Sequence, residues 1–172
     1  GRNDGETPNV DRAVMEKAIT EIVRTWSDSL AVALGAAFPR DKADVLAGKY
    51  RTAFSEGYRA AYAPAAAVDD LKLIEALSAE RPLGVVFYPR AEHKNTAIGL
   101  KVWSFGRPLP LSERVPVLEN MGFRVVDERT FEAKLGDGAS AWLHDMLLED
   151  RDGGVMDLDA RKAALEATFL KV

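Results

Sequence analysis

The chain has 172 residues, which at roughly 100 to 200 residues per domain means one domain or two small ones sharing a core, and its 47% apolar content is enough to bury that core. Its 23 basic and 27 acidic residues leave a net charge of −4, which argues against a partner that is nucleic acid or an anionic membrane surface. The absence of cysteine excludes a disulfide framework, a thiolate zinc site and a cysteine nucleophile, no apolar run approaches the roughly 20 residues that span a bilayer, and the polar start GRNDGETPNV is not a signal peptide, so a cytoplasmic protein is expected.

Residues 1–9, rich in Gly, Asn and Pro, read as a disordered lead-in. Residues 10–80 read as a helical segment. Met15, Ile19, Ile22, Trp26, Leu30, Leu34 and Phe38 form one stripe of a helix that Asn9 or Asp11 caps and Pro39 stops. Leu46, Tyr50, Phe54 and Tyr58 continue at steps of four in a second helix that ends before Pro64. A third, from about Ala65 to Ser78, aligns Val68, Leu71, Ile74 and Leu77. One-sided faces of this kind make a small hairpin or bundle that must pack on something else.

The period changes near Arg81, and residues 81–172 read as an α+β domain. Leu83–Tyr88 and Ala97–Phe105 are two strands forming a hairpin, the second alternating Ile98, Leu100 and Val102 with Gly99, Lys101 and Trp103. Ser112 is the expected N-cap of a short helix burying Val115, Leu118 and Met121, with Pro116 in its first turn and Gly122 as the left-handed residue after it. Phe123–Leu135 and Ala139–Leu148 are strands joined at Gly136-Asp137-Gly138, the first showing Thr130, Glu132 and Lys134 outward. Asp157 caps a closing helix with Leu158, Ala164, Leu165, Thr168 and Phe169 inside. The order β, β, α, β, β, α predicts an antiparallel sheet with helices on one face. Gly1 in place of Met, and an end at Val172 within a helix, are read as cuts in a longer protein.

Motifs for chemistry are sparse. The sequence holds no Gly-x-Gly-x-x-Gly after a strand, no phosphate-binding Gly-x-x-x-x-Gly-Lys-Ser/Thr and no Gly-x-Ser-x-Gly, so neither a nucleotide site nor a catalytic residue is assigned. His93 reads as a residue of a solvated turn, and His144 as a packed, hydrogen-bonded strand histidine. Asp145 points away from His144, so the two cannot share a metal ion, and no metal site is expected. Asp127 and Glu128 face opposite ways and read as salt-bridged edge or surface charges. Tyr50, Phe54, Tyr58 and Tyr62 read as a core stripe. One loop carries a binding hypothesis. Gly106–Ser112 joins a strand to a helix start, where the N–H groups around Leu111, Ser112 and Glu113 and the charge of Arg107 could hold a carboxylate. Glu119 or Asn120 on the same helix would read an amino group, and the alternative for the loop is a rigid connection.

The run LPLSERVPVLENMGFRVVDER, from Leu109 to Arg129, resembles the large NAD-dependent glutamate dehydrogenases of bacteria. The preceding strand Leu100-Lys101-Val102-Trp103, the upstream Lys49-Tyr50-Arg51-Thr52-Ala53-Phe54, and Tyr62-Ala63-Pro64 with Ala67–Leu71 extend the resemblance over about residues 20–150. It implies an ACT-like, ferredoxin-like regulatory module with its helical segment. It departs from plain ACT order in the extra strand Leu83–Tyr88 and in having no strand after the last helix. In that family L-glutamate is oxidised to 2-oxoglutarate and ammonia with NAD at a separate catalytic region. The implied role is therefore a non-catalytic regulatory or scaffolding fragment, without cofactor of its own. Its partners would be other domains of the same chain, a small amino-acid effector and further copies in a homo-oligomer. A free-standing ACT-type amino-acid sensor is the alternative, and an independent small enzyme is the third reading.

Overall fold

The computed structural model describes residues 26–90, 96–154 and 158–171. The expected lead-in, the caps Asn9, Asp11 and Asp157, the stripe from Met15 to Ile22 and the turn histidine His93 lie outside the described residues. Residues 26–37 are helical (α1), followed by α2 (Arg40–Lys49), α3 (Glu56–Ala61) and α4 (Pro64–Glu75). Then come β1 (Leu83–Pro89), β2 (Ile98–Phe105), α5 (Leu111–Asn120), β3 (Phe123–Lys134), β4 (Ser140–Asp150) and α6 (Leu158–Lys171). The strands make one antiparallel sheet in the order β1-β2-β4-β3. This is the α+β arrangement expected.

The second helical stripe does not form one helix. α2 ends at Lys49, and Ala53 closes a turn on the Tyr50 carbonyl. Phe54 then bridges to Ala133, with the Lys134 N–H donating to the Ala53 carbonyl at 3.0 Å. Ser55 restarts the helix by accepting the Tyr58 N–H at 3.2 Å. A serine cap and the free edge of β3 thus offer residues 50–55 better backbone partners than a continued helix. Spacing by four still brings the rings together: Tyr50, Phe54, Tyr58 and Tyr62 follow one another at centroid separations of 6.1, 4.3 and 4.7 Å.

Two further expectations fail locally. Pro110, not Ser112, occupies the N-cap of α5, and no side chain caps it. Starting two residues earlier puts Pro116 inside the helix, where the Ser112 carbonyl loses its usual partner. The buried face of α5 is Arg114 and Leu118 with Val117 and Met121 against them, and Val115 is only half-buried. On α6, Leu158, Leu165 and Phe169 are buried, but Ala164 and Thr168 are exposed.

Both faces of the sheet are covered. Ile98, Leu100, Val102, Met146 and Leu148 pack with Leu118, Leu165 and Phe169 of α5 and α6. On the other face Trp103, Ala133, Ala141 and Leu143 join Leu30, Leu46, Tyr58, Leu71 and Ile74 of α1–α4 in one apolar cluster. The unpartnered stripes of the first half and the second face of the sheet therefore satisfy each other. Burying β2 on both sides, with Trp103 fully enclosed, places polar residues of the same face in a dry seam.

Candidate functional site

The seam is crossed by a row of charges. The antiparallel register sets Lys101 of β2 opposite Asp145 of β4, and Asp145 opposite Arg129 of β3. Side chains directly opposite lie close enough to interact, so cation, anion and cation alternate across three strands. Period two places all three on the face toward α3 and α4. Those helices supply Tyr58, Tyr62 and Asp70.

Asp145 is wholly buried and accepts from four side chains. Tyr62 donates its hydroxyl, Tyr88 donates at 2.5 Å, Arg129 at 3.2 Å and Arg90 at 3.4 Å. Asp70, 1% exposed, accepts the Tyr58 hydroxyl at 2.5 Å and two bonds from Lys101 Nζ at 3.2 Å. Burial raises the Asp70 carboxyl above the usual carboxylate range, against the pull of Lys101. The phenols of Tyr58, Tyr62 and Tyr88 are raised first by burial and then by the carboxylates they serve, so all three are fixed as donors. The Lys101 ammonium also lies over the Tyr62 ring at 4.3 Å and near the Tyr88 ring at 5.6 Å.

This network floors a cavity of about 820 Å³ between α3, α4, the β1 edge and α6. Tyr62, Tyr88, Lys101 and Arg129 reach into it, Ala66, Leu73 and Val85 give it apolar wall, and Lys72 and Lys162 stand in its lining. Glu166 of α6 accepts the Phe87 N–H at 2.8 Å, which covers a backbone group of the edge strand.

On the opposite face a second polar cluster holds the strand-to-helix loop. Gly106 takes φ +82° and donates its N–H to Ser140, and Ser104 donates its hydroxyl to the Arg107 carbonyl. The Leu109 N–H reaches His144 Nε2 at 2.9 Å, and the Leu109 carbonyl accepts from Arg114. Arg114 Nη2 also donates to both carboxylate oxygens of Glu128 at 2.6 and 2.7 Å, and His144 Nδ1 lies 3.1 Å from the same carboxylate. His144 is the buried, hydrogen-bonded histidine expected, and its pKa is lowered by burial and then by Arg114. Glu128 is a salt-bridged charge on an edge strand, as expected, but it is mostly buried. A register shift between Val125 and Asp127 turns it inward to Arg114 and His144.

Of the residues expected to hold an effector, Gly106, Arg107, Leu111, Ser112 and Glu113 sit together at the start of α5. Arg107 and Glu113 lie 3.6 Å apart, both exposed, and the Glu113 N–H bonds the Pro110 carbonyl at 3.0 Å. Glu119 and Asn120 occupy the far end of α5, about 12 Å away at 1.5 Å per residue, so the structure does not bring them to the loop. Sequence reasoning does not single out Lys101, Asp70, Asp145 or Arg129 as site residues. For Lys101 and Asp145 the signal is a lone charge between apolar residues on one strand face, Gly99-x-Lys101-x-Trp103 and Leu143-x-Asp145-x-Leu147 opposite, and Asp70 and Arg129 carry no such signal.

Comparison with known proteins places these two layers. Residues 82–161 match the glutamate dehydrogenase ACT3 domain, and residues 33–77 match glutamate dehydrogenase helical motif 2. The NAD-specific glutamate dehydrogenase of Halomonas elongata is 33% identical over 172 residues, 99% of this chain and 11% of its own. That of Pseudomonas aeruginosa is 27% identical over 164 residues, 95% and 10% of the two chains. That of Mycobacterium tuberculosis is 33% identical over 140 residues, 81% and 8%. The chain thus spans about a tenth of the length of the curated relatives it matches. No helix among the described residues is long and apolar enough to cross a membrane.

Proposed function

With residues 33–77 belonging to the helical motif 2 family of glutamate dehydrogenase and residues 82–161 to its ACT3 domain family, we propose that this chain is a non-catalytic regulatory and scaffolding segment of a large NAD-dependent glutamate dehydrogenase. The whole enzyme would convert L-glutamate to 2-oxoglutarate and ammonia in the cytoplasm, holding NAD in another region of its chain. The observation that carries the reading is the buried seam. Tyr58 and Asp70 of the helical motif are bonded to Lys101 of the sheet, and Tyr62 to Asp145. Motif and domain are therefore one mechanical unit, suited to hold or relay position between neighbouring parts of a long polypeptide. The exposed start of α5, with Arg107, Leu111, Ser112 and Glu113, remains our candidate for an amino-acid effector.

Two measurements test this. The isolated chain should not reduce NAD when given L-glutamate. In the full-length enzyme, Asp145→Asn should alter the response of turnover to amino-acid effectors while the KM for NAD is retained. Turnover by the isolated chain would refute the non-catalytic assignment. An Asp145→Asn enzyme indistinguishable from wild type in every kinetic response would refute the regulatory one.

A further inference from the structure

The cavity at the seam presents donors to whatever enters it. Both buried carboxylates are occupied: Asp145 by two phenols and two guanidinium groups, Asp70 by Tyr58 and Lys101. From the network the cavity meets Arg129, Arg90 and Lys101, the rings of Tyr62 and Tyr88, and the engaged Asp70 carboxyl. Arg129 is half-exposed at 42%, gives one N–H to Asp145, lies over the Tyr62 ring at 5.2 Å and lines the cavity. The aromatic faces that would otherwise attract an amine are already held by cations, Tyr62 by Lys101 and Arg129 and Tyr88 by Lys101 and Arg90, with Lys101 only 9% exposed. The lysines of the lining, Lys72 and Lys162, add positive charge beside the acids Asp69 and Glu166, and Glu166 is engaged with the Phe87 N–H. Ala66, Leu73 and Val85 supply apolar wall. A volume of about 820 Å³ suits a small molecule.

We propose that this cavity binds a small organic carboxylate, its head group taken by the Arg129 fork and its apolar stem lying on Leu73 and Val85. The proposal goes beyond the regulatory reading, because the site is distinct from the α5 loop and on the other face of the sheet. Its walls come from α3 and α4 on one side and from β1, β2, β3 and α6 on the other, so a bound carboxylate bridges helical motif and sheet. A bidentate arginine contact gives the head-group preference, and the apolar wall separates such a ligand from a bare anion.

The test titrates this chain with valerate, with valeramide and inorganic phosphate as controls, following heat and backbone amide shifts. Valerate should saturate and shift the amides of residues 84–89 and 162–166. Valeramide, lacking the charge, should not bind. Arg129→Gln should weaken valerate by about tenfold or more, the equivalent of about 1.4 kcal/mol. Leu73→Trp leaves every charged group in place but fills the apolar wall, and it should abolish binding. No saturable shift with valerate would overturn the proposal, as would equal binding by Arg129→Gln and Leu73→Trp. Phosphate reproducing the same shifts would also overturn it, since the cavity would then hold an anion without reading its stem. Because no dehydrogenase assay enters, failure here leaves the regulatory reading standing, and failure of that reading leaves this one standing.

Discussion

Replacing Asp145 with asparagine keeps the shape of the side chain and removes the charge around which two phenols and two guanidinium groups are arranged. Tyr62 and Arg129 bond one carboxylate oxygen, and Tyr88 and Arg90 the other. A hydrogen bond to a charged acceptor contributes about 1.5–3 kcal/mol and a neutral one about 0.5–1.5, so each strong bond loses roughly 1 kcal/mol. Tyr62, Tyr88 and Arg90 are well shielded and count in full, whereas Arg129, 42% exposed, is screened and adds little. The new amide NH₂ must also face a phenol and a guanidinium on one side. A phenol can rotate to accept, but a guanidinium cannot, and Arg129 is the freer of the two to swing out. The expected loss is about 3 kcal/mol, at the low end of the roughly 3–5 kcal/mol for breaking a buried pair. Urea unfolding followed by the fluorescence of Trp26 and Trp103 measures it, with Tyr62→Phe expected to lose about 1.5–2 kcal/mol and the double variant less than the sum of the two. A loss under about 1 kcal/mol for Asp145→Asn, or strict additivity with Tyr62→Phe, would show that the charge does not organise the seam.

Gly99→Ala places a methyl group inside the Tyr88 ring that lies across the strand pair, and Gly99 is flanked by buried backbone that cannot move away. Displacing Tyr88 also breaks its bond to Asp145, so a loss of about 2–4 kcal/mol in the same unfolding assay is expected. His144 accepts the Leu109 N–H at Nε2, so its proton sits on Nδ1 toward Glu128, and a second proton would set two N–H groups against each other. Its folded pKa is lowered, so below pH about 6.5 the unfolded chain binds more protons than the folded one. Stability should therefore fall as pH drops from about 6.5 through the folded value and stay flat above; a His144→Gln variant with the same slope would refute this origin. Trp26 is half-buried, donates its indole N–H to the Tyr62 carbonyl at 3.1 Å and meets Phe54 and Tyr58 edge-on. Trp26→Ala should cost about 2–4 kcal/mol and Trp26→Phe about 1, and an unmoved denaturation midpoint for Trp26→Ala would show that this packing carries no stability.

Local and periodic features were legible in the amino-acid order. Apolar residues at helical spacing marked α1 and α4, a β-rich run between Pro82 and Pro89 marked β1, alternation marked β2, and Gly122 with its φ of +92° ended α5 as expected. These are decided within a few residues, by backbone hydrogen bonds and by Pro and Gly sterics. Partners far along the chain decided the rest. The stripe from Leu46 to Tyr58 broke because Phe54 found Ala133 on an edge strand nearly 80 residues away. Glu128 turned inward because a bulge shifted its register against β4, and no pattern in β3 alone specifies that shift. Lys101 and Asp145 look like ordinary solvent-facing strand charges until α3 and α4 cover their face with Trp103 and Leu143 beside them. Period two tells that such residues share a face, but whether that face is wet or dry depends on what packs against it. In a dry seam an unpaired charge is prohibitive, so Tyr58, Tyr62 and Asp70 had to meet that row. The sequence by itself determined the order of helices and strands and the spacing of most of their apolar faces. The tertiary structure alone decided which faces met, and with that the buried charge network and the cavity above it.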